Sequence, residues 1–369
     1  MDNQSYMENI ITPDTGRKNR IHYLDVLKGI GIVFVVFAHA NSMLYGSGYL
    51  YCFHMVLFFF ISGLLLNPAK YPSFKQFLVS RIKQLYIPYV VFYLLCYLYW
   101  LIIERSRRTI AVSPLDGLLG LFWGSDNTRW IYPAGVLWFV IGLLALELVF
   151  YAVIKGTKSW WIRGGVLAAL TAIGLLLAKY RLYVLPFSLN NVLPVIPFFT
   201  AGYLLRRPLV ESDVVYHAKK GWILLGLVPL AAFTIWQYPW ICGLGGQTDI
   251  SYLAYPALHW FYTIPFLEIA LWLGISMLIG KNRPLEWLGR NTLPILAFHP
   301  PIARILTYAA GLVWGIGKTE IHEAWGYSML LAAASIICCI PLVYLWNRAY
   351  PGIITFVFRG KDRPKDVLP

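Results

Sequence analysis

The chain has 369 residues, of which 59% are hydrophobic, 17% aromatic and only 13% charged. Soluble domains carry about a quarter charged residues, so this composition excludes an ordinary water-soluble fold and indicates an integral membrane protein. The formal net charge of +14 comes from basic residues dispersed along the chain, which argues against nucleic acid as a partner. Five cysteines show neither metal-ligand spacing nor a disulfide framework, so no metal site is predicted.

The apolar runs predict an all-α integral membrane protein of about ten transmembrane helices, with the lipid bilayer as a partner. A tail over 1–20 precedes a membrane domain over 21–347, and a second tail covers 348–369. The run at 190–205 is short and contains Pro194 and Pro197, so we expect it to be broken or re-entrant. The ten runs fall at 21–42, 50–67, 85–103, 135–154, 162–179, 190–205, 221–238, 258–280, 291–316 and 325–347.

The distribution of Lys and Arg predicts that both termini are cytoplasmic. With that orientation, the inside segments contain 22 Lys and Arg and the outside segments contain 7. Such an excess follows the positive-inside rule. We therefore expect a multi-pass protein of the plasma or inner membrane, with Lys28 toward the cytoplasm and with His39 and His54 near the outer side.

The first apolar run carries ionisable residues that hydrocarbon penalises, namely Asp25, Lys28 and His39. Lys28 and His39 are eleven residues apart, a spacing that returns them to nearly the same helix face. Helix rise separates them by about 16 Å, which is about the reach of a pantetheine arm. A histidine there suits proton abstraction from a hydroxyl or service as a nucleophile. The plainer alternatives are a structural Asp25–Lys28 ion pair and a capped imidazole at a helix end.

Several blocks of the sequence resemble one family of membrane enzymes. The run RIHYLDVLKGIGIVFVVFAHA, followed by FHMVLFFFISGLLL, resembles the first two helices of the membrane-bound acyltransferase 3 family, and its fucose 4-O-acetylase-like branch in particular. RIKQLYIPY (81–89), LWFVIGLLALE (137–147) and LGRNTLPILAFHPPI (288–302) resemble the later blocks of the family in the same order. The resemblance implies an O-acetyltransferase that moves an acetyl group from acetyl-CoA to a hydroxyl of a cell-envelope polysaccharide or glycolipid.

The resemblance also implies roles for individual residues. The family's basic residue and the histidine eleven positions later fall on Lys28 and His39, which implies a cation that binds the CoA donor and a catalytic histidine. Lysine is a departure here, since many members have arginine at this position. Arg81 and Lys83 are expected to contact the CoA phosphates, and anchoring at the cytoplasmic side is the alternative for both. Lys83 would stand in for the second basic residue that the family often has three positions after Arg81, where this chain has Gln84.

His54 begins the second span on the same side as His39. We expect it to orient His39 or to bind the acceptor, and we place Asp25 in the same catalytic group through the polar face of the first helix. A structural role is the alternative for both residues.

His299 and Arg304 lie in the ninth span beside the pair Pro300 and Pro301, which frees helix carbonyls and is typical of backbone that lines a cavity. Together with Trp130 in the loop 104–134, they are expected to bind the acceptor. The alternatives are a packed, hydrogen-bonded histidine at 299 and, for Trp130, the aromatic belt at the membrane interface.

Two other classes of function stay open from the sequence. Ten helices with buried charges also suit a transporter or exporter of a small solute or glycan intermediate, although no inverted repeat is visible. A non-catalytic partner of a glycan synthase is the third class, and in that class His39 would be dispensable.

Overall fold

The computed structural model describes residues 20–41, 44–107, 112–124, 132–182, 185–212, 220–243, 248–255 and 257–358. Most of these residues are helical, as expected for segments that must satisfy their own backbone hydrogen bonds in hydrocarbon. The main helices in chain order are α1 (His22–Ala40), α2 (Leu44–Leu65), α3 (Phe74–Glu104), α4 (Pro114–Trp123), α5 (Trp138–Gly156), α6 (Trp160–Lys179), α7 (Ile196–Arg206), α8 (Lys220–Gly243), α9 (Leu258–Ile279), α10 (Arg283–Arg290), α11 (Thr292–Trp314), α12 (Lys318–Glu323) and α13 (Trp325–Phe358).

Among the described residues, nine helices are long and apolar enough to cross a membrane, which confirms the all-α multi-pass fold. The sixth predicted span, at 190–205, is broken as expected: one turn over Leu189–Val192 leads through Leu193–Val195 into α7. The break follows from the prolines of this segment, which lack the N–H that a continuous helix needs. The last helix differs from its predicted end, because α13 continues past 347 to Phe358.

The first helix, α1, lies at the centre of the bundle and packs against α2, α9, α10, α11 and α13. Its contact with α10 depends on Gly29 and Gly289, since a Cβ on either residue would overlap a carbonyl oxygen of the other helix. Small residues allow this backbone-to-backbone approach between membrane helices. The contact brings the Lys28 end of α1 next to Arg290, the last residue of α10.

Helix α3 contains two turns wider than ordinary α-helical turns, over Ile82–Tyr86 and Trp100–Glu104. Wide turns interrupt the regular hydrogen-bond ladder and are frequent at functional sites. In α3 the first follows Arg81 directly and the second ends at Glu104. Both of these charged residues form ion pairs with other helices, and both ion pairs lie beside a cavity.

Candidate active site

A cavity of about 240 Å³ opens beside Lys28, and we call it the Lys28 cavity. Its described wall holds three basic side chains and one carboxylate, so its balance of charge is positive. A basic cavity suits a ligand that carries phosphates. The polar residues of the wall are Lys28, Ser62, Arg81, Gln84, Glu147, Arg290, Asn291, Thr292, Asn347 and Tyr350.

Asp25 is shared between two cations at this end of α1. Its Oδ1 lies 2.7 Å from Nζ of Lys28, and its Oδ2 lies 2.6 Å from Nε of Arg20. The Lys28–Asp25 pair is therefore present, as the spacing of three residues predicts. Helix rise puts Asp25 about 21 Å from His39, too far for direct contact, and its place in the catalytic group stays a prediction.

Arg81 lines the Lys28 cavity but is held by a buried partner. Its Nη1 lies 2.9 Å from Oε2 of Glu147 on α5, and its Nη2 donates to the hydroxyl of Tyr71 at 3.0 Å. Arg81 and Glu147 are both buried. Because a buried charge without a partner is costly, each of the two depends on the other, and Arg81 has a structural role whatever it binds.

Lys83 and Arg290 are placed differently with respect to the Lys28 cavity. Nζ of Lys83 lies 4.4 Å from the ring centroid of Phe358, and Lys83 is not part of the described wall of the Lys28 cavity. Arg290 does line this wall, and apart from a 3.2 Å bond from its Nε to the carbonyl of Glu286 it has no hydrogen bond within the described residues. In the sequence, Arg290 is visible only as one of the inside charges.

A second cavity, of about 570 Å³, lies at the other end of α1, and we call it the His39 cavity. His39 is half-buried and forms part of its wall. This wall is polar but carries few formal charges. Its polar residues are His39, Asn41, Tyr51, His54, Cys96, Asp249, Ser251, Tyr252, Arg304 and His322.

His39 and His299 are in direct contact. Nδ1 of His39 lies 2.9 Å from Nε2 of His299, and Nδ1 of His299 lies 3.0 Å from the carbonyl oxygen of Ile295, one turn earlier in α11. His299 is 0% exposed and is absent from the described wall of the His39 cavity. The structure therefore places His299 behind His39, away from the surface that a substrate would touch, which differs from its predicted role in binding the acceptor.

The proline pair of α11 lines the His39 cavity, as the sequence predicts. Pro300 and Pro301 have no N–H, so the carbonyls of Leu296 and Ala297 lose their helical donors. The thiol of Cys96 on α3 donates to the carbonyl of Ala297 at 3.7 Å. A side chain of the neighbouring helix thus compensates part of the loss.

His54 lies in the wall of the His39 cavity without contacting His39 by a hydrogen bond in the described part of the chain. Its Nδ1 donates to the carbonyl of Leu50 at 2.6 Å. The ring of Tyr51 lies between the two histidines, with centroid distances of 6.2 Å to His39 and 5.0 Å to His54. His299, rather than His54, is the residue in hydrogen-bond contact with His39, and the predicted roles of His54 stay predictions.

Arg304 also lines the His39 cavity, five residues after His299. Its Nε forms an ion pair with Glu104, the last residue of the second wide turn of α3. Trp130, the third residue that we expect to bind the acceptor, lies outside the described residues, and its role stays a prediction.

A short loop over 248–255 forms another part of the His39 cavity wall. Asn191 holds this loop by donating to the carbonyls of Ile250 and Ser251 at 2.7 and 2.8 Å. The pKa of Asp249 in the loop is raised, because the effect of burial outweighs that of the hydrogen bonds from Ser251, which lower it. The loop thus presents a fixed carboxyl group to the cavity.

The two cavities meet at three apolar side chains. Val35 of α1, Met55 of α2 and Leu296 of α11 line both the Lys28 cavity and the His39 cavity. We call these three residues the septum. Lys28 and His39 lie on opposite sides of the septum, about 16 Å apart along α1 by helix rise.

The fold and the two cavities define a multi-pass membrane protein with a site built around the first helix. The acyltransferase domain of the acyltransferase 3 family matches residues 21–344, so the chain belongs to that family and is a membrane acyltransferase. No individual curated protein and no solved structure matches the chain. Membership in the fucose 4-O-acetylase-like branch stays a prediction.

Proposed function

We propose that this acyltransferase moves an acetyl group from acetyl-CoA to a hydroxyl of a cell-envelope polysaccharide or glycolipid. The observation that carries the proposal is the meeting of a basic cavity and a histidine-lined cavity at the septum. A donor and an acceptor that enter from opposite ends of α1 would come together there.

The donor would leave its nucleotide in the Lys28 cavity and extend its pantetheine arm past the septum toward His39. Lys28 and Arg290 supply cations for the CoA phosphates, with Arg81 beside them. A lysine or arginine that contacts phosphate forms a charge-assisted hydrogen bond, which is stronger than a neutral one. The pantetheine arm is comparable in length to the separation of about 16 Å between Lys28 and His39 along α1, so the thioester would reach the imidazole.

The acceptor would occupy the His39 cavity. His39 would take the proton of the attacking hydroxyl or carry the acetyl group itself, and either role requires an unprotonated ring nitrogen that faces the cavity. His54, Arg304 and the 248–255 loop provide polar groups that suit a sugar with several hydroxyls. The aromatic and amide residues of the outer loops, Trp130 among them, would extend this surface.

The orientation of the chain is part of the proposal, because a cytoplasmic donor requires the Lys28 cavity to face the cytoplasm of a plasma or inner membrane. Cysteine tags at Lys75 and Lys219 are expected to react only from the cytoplasmic side, and tags at Asn127 and Gln247 only from outside. Labelling of Asn127 and Lys75 from the same side would contradict this orientation.

The activity is tested with the purified protein in liposomes, acetyl-CoA labelled in its acetyl group, and isolated envelope glycans. We expect the label to appear on the glycan, to be released by mild base as acetate, and to be lost in a His39→Ala variant. His259→Ala is the matched control, because His259 is an exposed histidine at the start of α9. Movement of glycan across the bilayer without labelling would favour a transporter. The absence of both labelling and movement would favour an assembly partner.

A further inference from the structure

The hydrogen bonds around His299 determine which of its nitrogens carries a proton. A carbonyl oxygen only accepts hydrogen bonds, so the 3.0 Å contact between Nδ1 of His299 and the carbonyl of Ile295 requires a proton on Nδ1. In a neutral imidazole the other nitrogen is then an acceptor. Nε2 of His299 therefore presents a lone pair, and it presents it to His39 at 2.9 Å.

The same reasoning determines the proton position on His39. Because Nε2 of His299 accepts, Nδ1 of His39 must donate, and Nε2 of a neutral His39 is then unprotonated. Nδ1 of His39 is occupied by its contact with His299, which is itself no part of the described cavity wall. Nε2 of His39 is thus the nitrogen available to a ligand in the His39 cavity, of which His39 forms part of the wall.

We infer that His299 is a positioning residue that holds His39 in the tautomer whose Nε2 lone pair faces the acceptor. This inference rests on the proposed function and adds to it the residue that prepares the base. His299 acts through His39, since it is fully buried and forms no part of the described cavity wall. A neutral imidazole in this place orients His39 without adding the buried charge that a carboxylate would bring into the membrane.

The protons balance over the reaction. The acceptor hydroxyl gives its proton to Nε2 of His39 as its oxygen bonds to the carbonyl carbon of the thioester. The carbon–sulfur bond then breaks, the CoA sulfur leaves as a thiolate, and this thiolate takes the proton from Nε2. While Nε2 is protonated, Nδ1 of the cationic His39 still donates to His299, and a hydrogen bond from a charged donor is stronger than the neutral one that it replaces.

The kinetic test compares His299→Gln with His299→Leu. Glutamine can return an acceptor oxygen to the position of Nε2, whereas leucine removes the acceptor at similar volume. We expect His299→Leu to lower kcat by about 10- to 100-fold with the KM for acetyl-CoA changed less than about 2-fold, as for other residues that orient a reacting group. His299→Gln should recover most of kcat. Equal kcat values for the two variants, whether both high or both low at matched expression, would overturn the inference.

A spectroscopic test reads the tautomer without substrate. In protein labelled with ¹⁵N at histidine, the chemical shifts of the two ring nitrogens report which one is protonated, and the signals of His39 are those absent from His39→Gln. We expect a protonated Nδ1 and an unprotonated Nε2 in the wild type and in His299→Gln, and a mixture in His299→Leu. A wild-type His39 protonated on Nε2 would refute the inference. Since no transfer is measured, this outcome is separate from failure of the proposed function.

Discussion

The Lys28 cavity and the His39 cavity both lie along α1, but they differ in the kind of polar group that lines them. The Lys28 cavity carries full charges, and its Arg81 is paired with Glu147 across two helices. The wall of the His39 cavity carries the imidazoles of His39 and His54, whose Nδ1 atoms meet another imidazole and a carbonyl, respectively. The first arrangement suits binding of an anionic ligand, and the second suits a proton that must move at a defined nitrogen.

The largest effect is expected at His39, where the comparison predicts loss of chemistry without loss of fold. His39→Ala removes the base and should lower the rate of acetyl transfer by about 10²- to 10⁴-fold, the usual contribution of general-base catalysis. The measurement is the single-turnover rate at equal membrane expression, with His259→Ala as control. A normal rate in His39→Ala would show that the His39 cavity is not the catalytic one.

Substitution of Arg81 should lower stability, because Arg81 is held in the wall of the Lys28 cavity by its ion pair with Glu147. Arg81→Gln leaves Glu147 as an unpaired buried carboxylate, which is expected to cost about 3–5 kcal/mol of stability. The double variant Arg81→Met with Glu147→Leu should recover most of the loss, since removal of both charges from a buried pair is often neutral. Thermal unfolding in nanodiscs measures both. If Arg81→Gln is as stable as Lys83→Gln, the Arg81–Glu147 ion pair does not stabilise the fold.

The two cavities meet at the septum, so a larger side chain there should block transfer and spare donor binding. Val35→Phe is expected to lower acetyl transfer by about 100-fold, the scale of a small misplacement of reacting groups. Crosslinking of a photoreactive CoA analogue to the Lys28 cavity should persist. Val166→Phe on the exposed face of α6 is the matched control. Full transfer by Val35→Phe would place the path of the donor elsewhere.

The smallest effect is expected at Arg290, which sharpens the assignment of the Lys28 cavity to the donor. Arg290→Gln should raise the KM for acetyl-CoA by about 5-fold with kcat nearly unchanged, because solvent screens this partly exposed charge. Lys83→Gln is the control of equal charge change, and it should leave KM unaltered since Lys83 packs against Phe358. Equal shifts in the two variants would indicate a general electrostatic effect.

Local rules were sufficient for much of the fold and for one end of the site. Apolar run length predicts the spanning helices, and Pro194 and Pro197 predict the broken segment. The Asp25–Lys28 pair follows from a spacing of three residues within one helix. These are all short-range features, so they can be predicted without knowledge of helix packing.

The other contacts join residues that are far apart in the chain. His39 and His299 are 260 positions apart and meet only because α1 packs against α11. Arg290 enters the Lys28 cavity because Gly29 and Gly289 allow α10 to approach α1 closely. In the sequence, Arg290 cannot be distinguished from the charges that anchor inside loops, so helix packing decides which cation lines a site.

The septum also has a consequence for the cell that houses the protein. In the proposed orientation the two cavities open toward opposite faces of the membrane, and they would form a leak for protons and small ions if water filled the passage between them. Val35, Met55 and Leu296 offer no polar group to a hydrated ion, and hydrophobic constrictions of this kind stop conduction by excluding water. Under the proposed function, an enzyme arranged in this way would carry out chemistry across a bilayer while the membrane keeps its electrical potential.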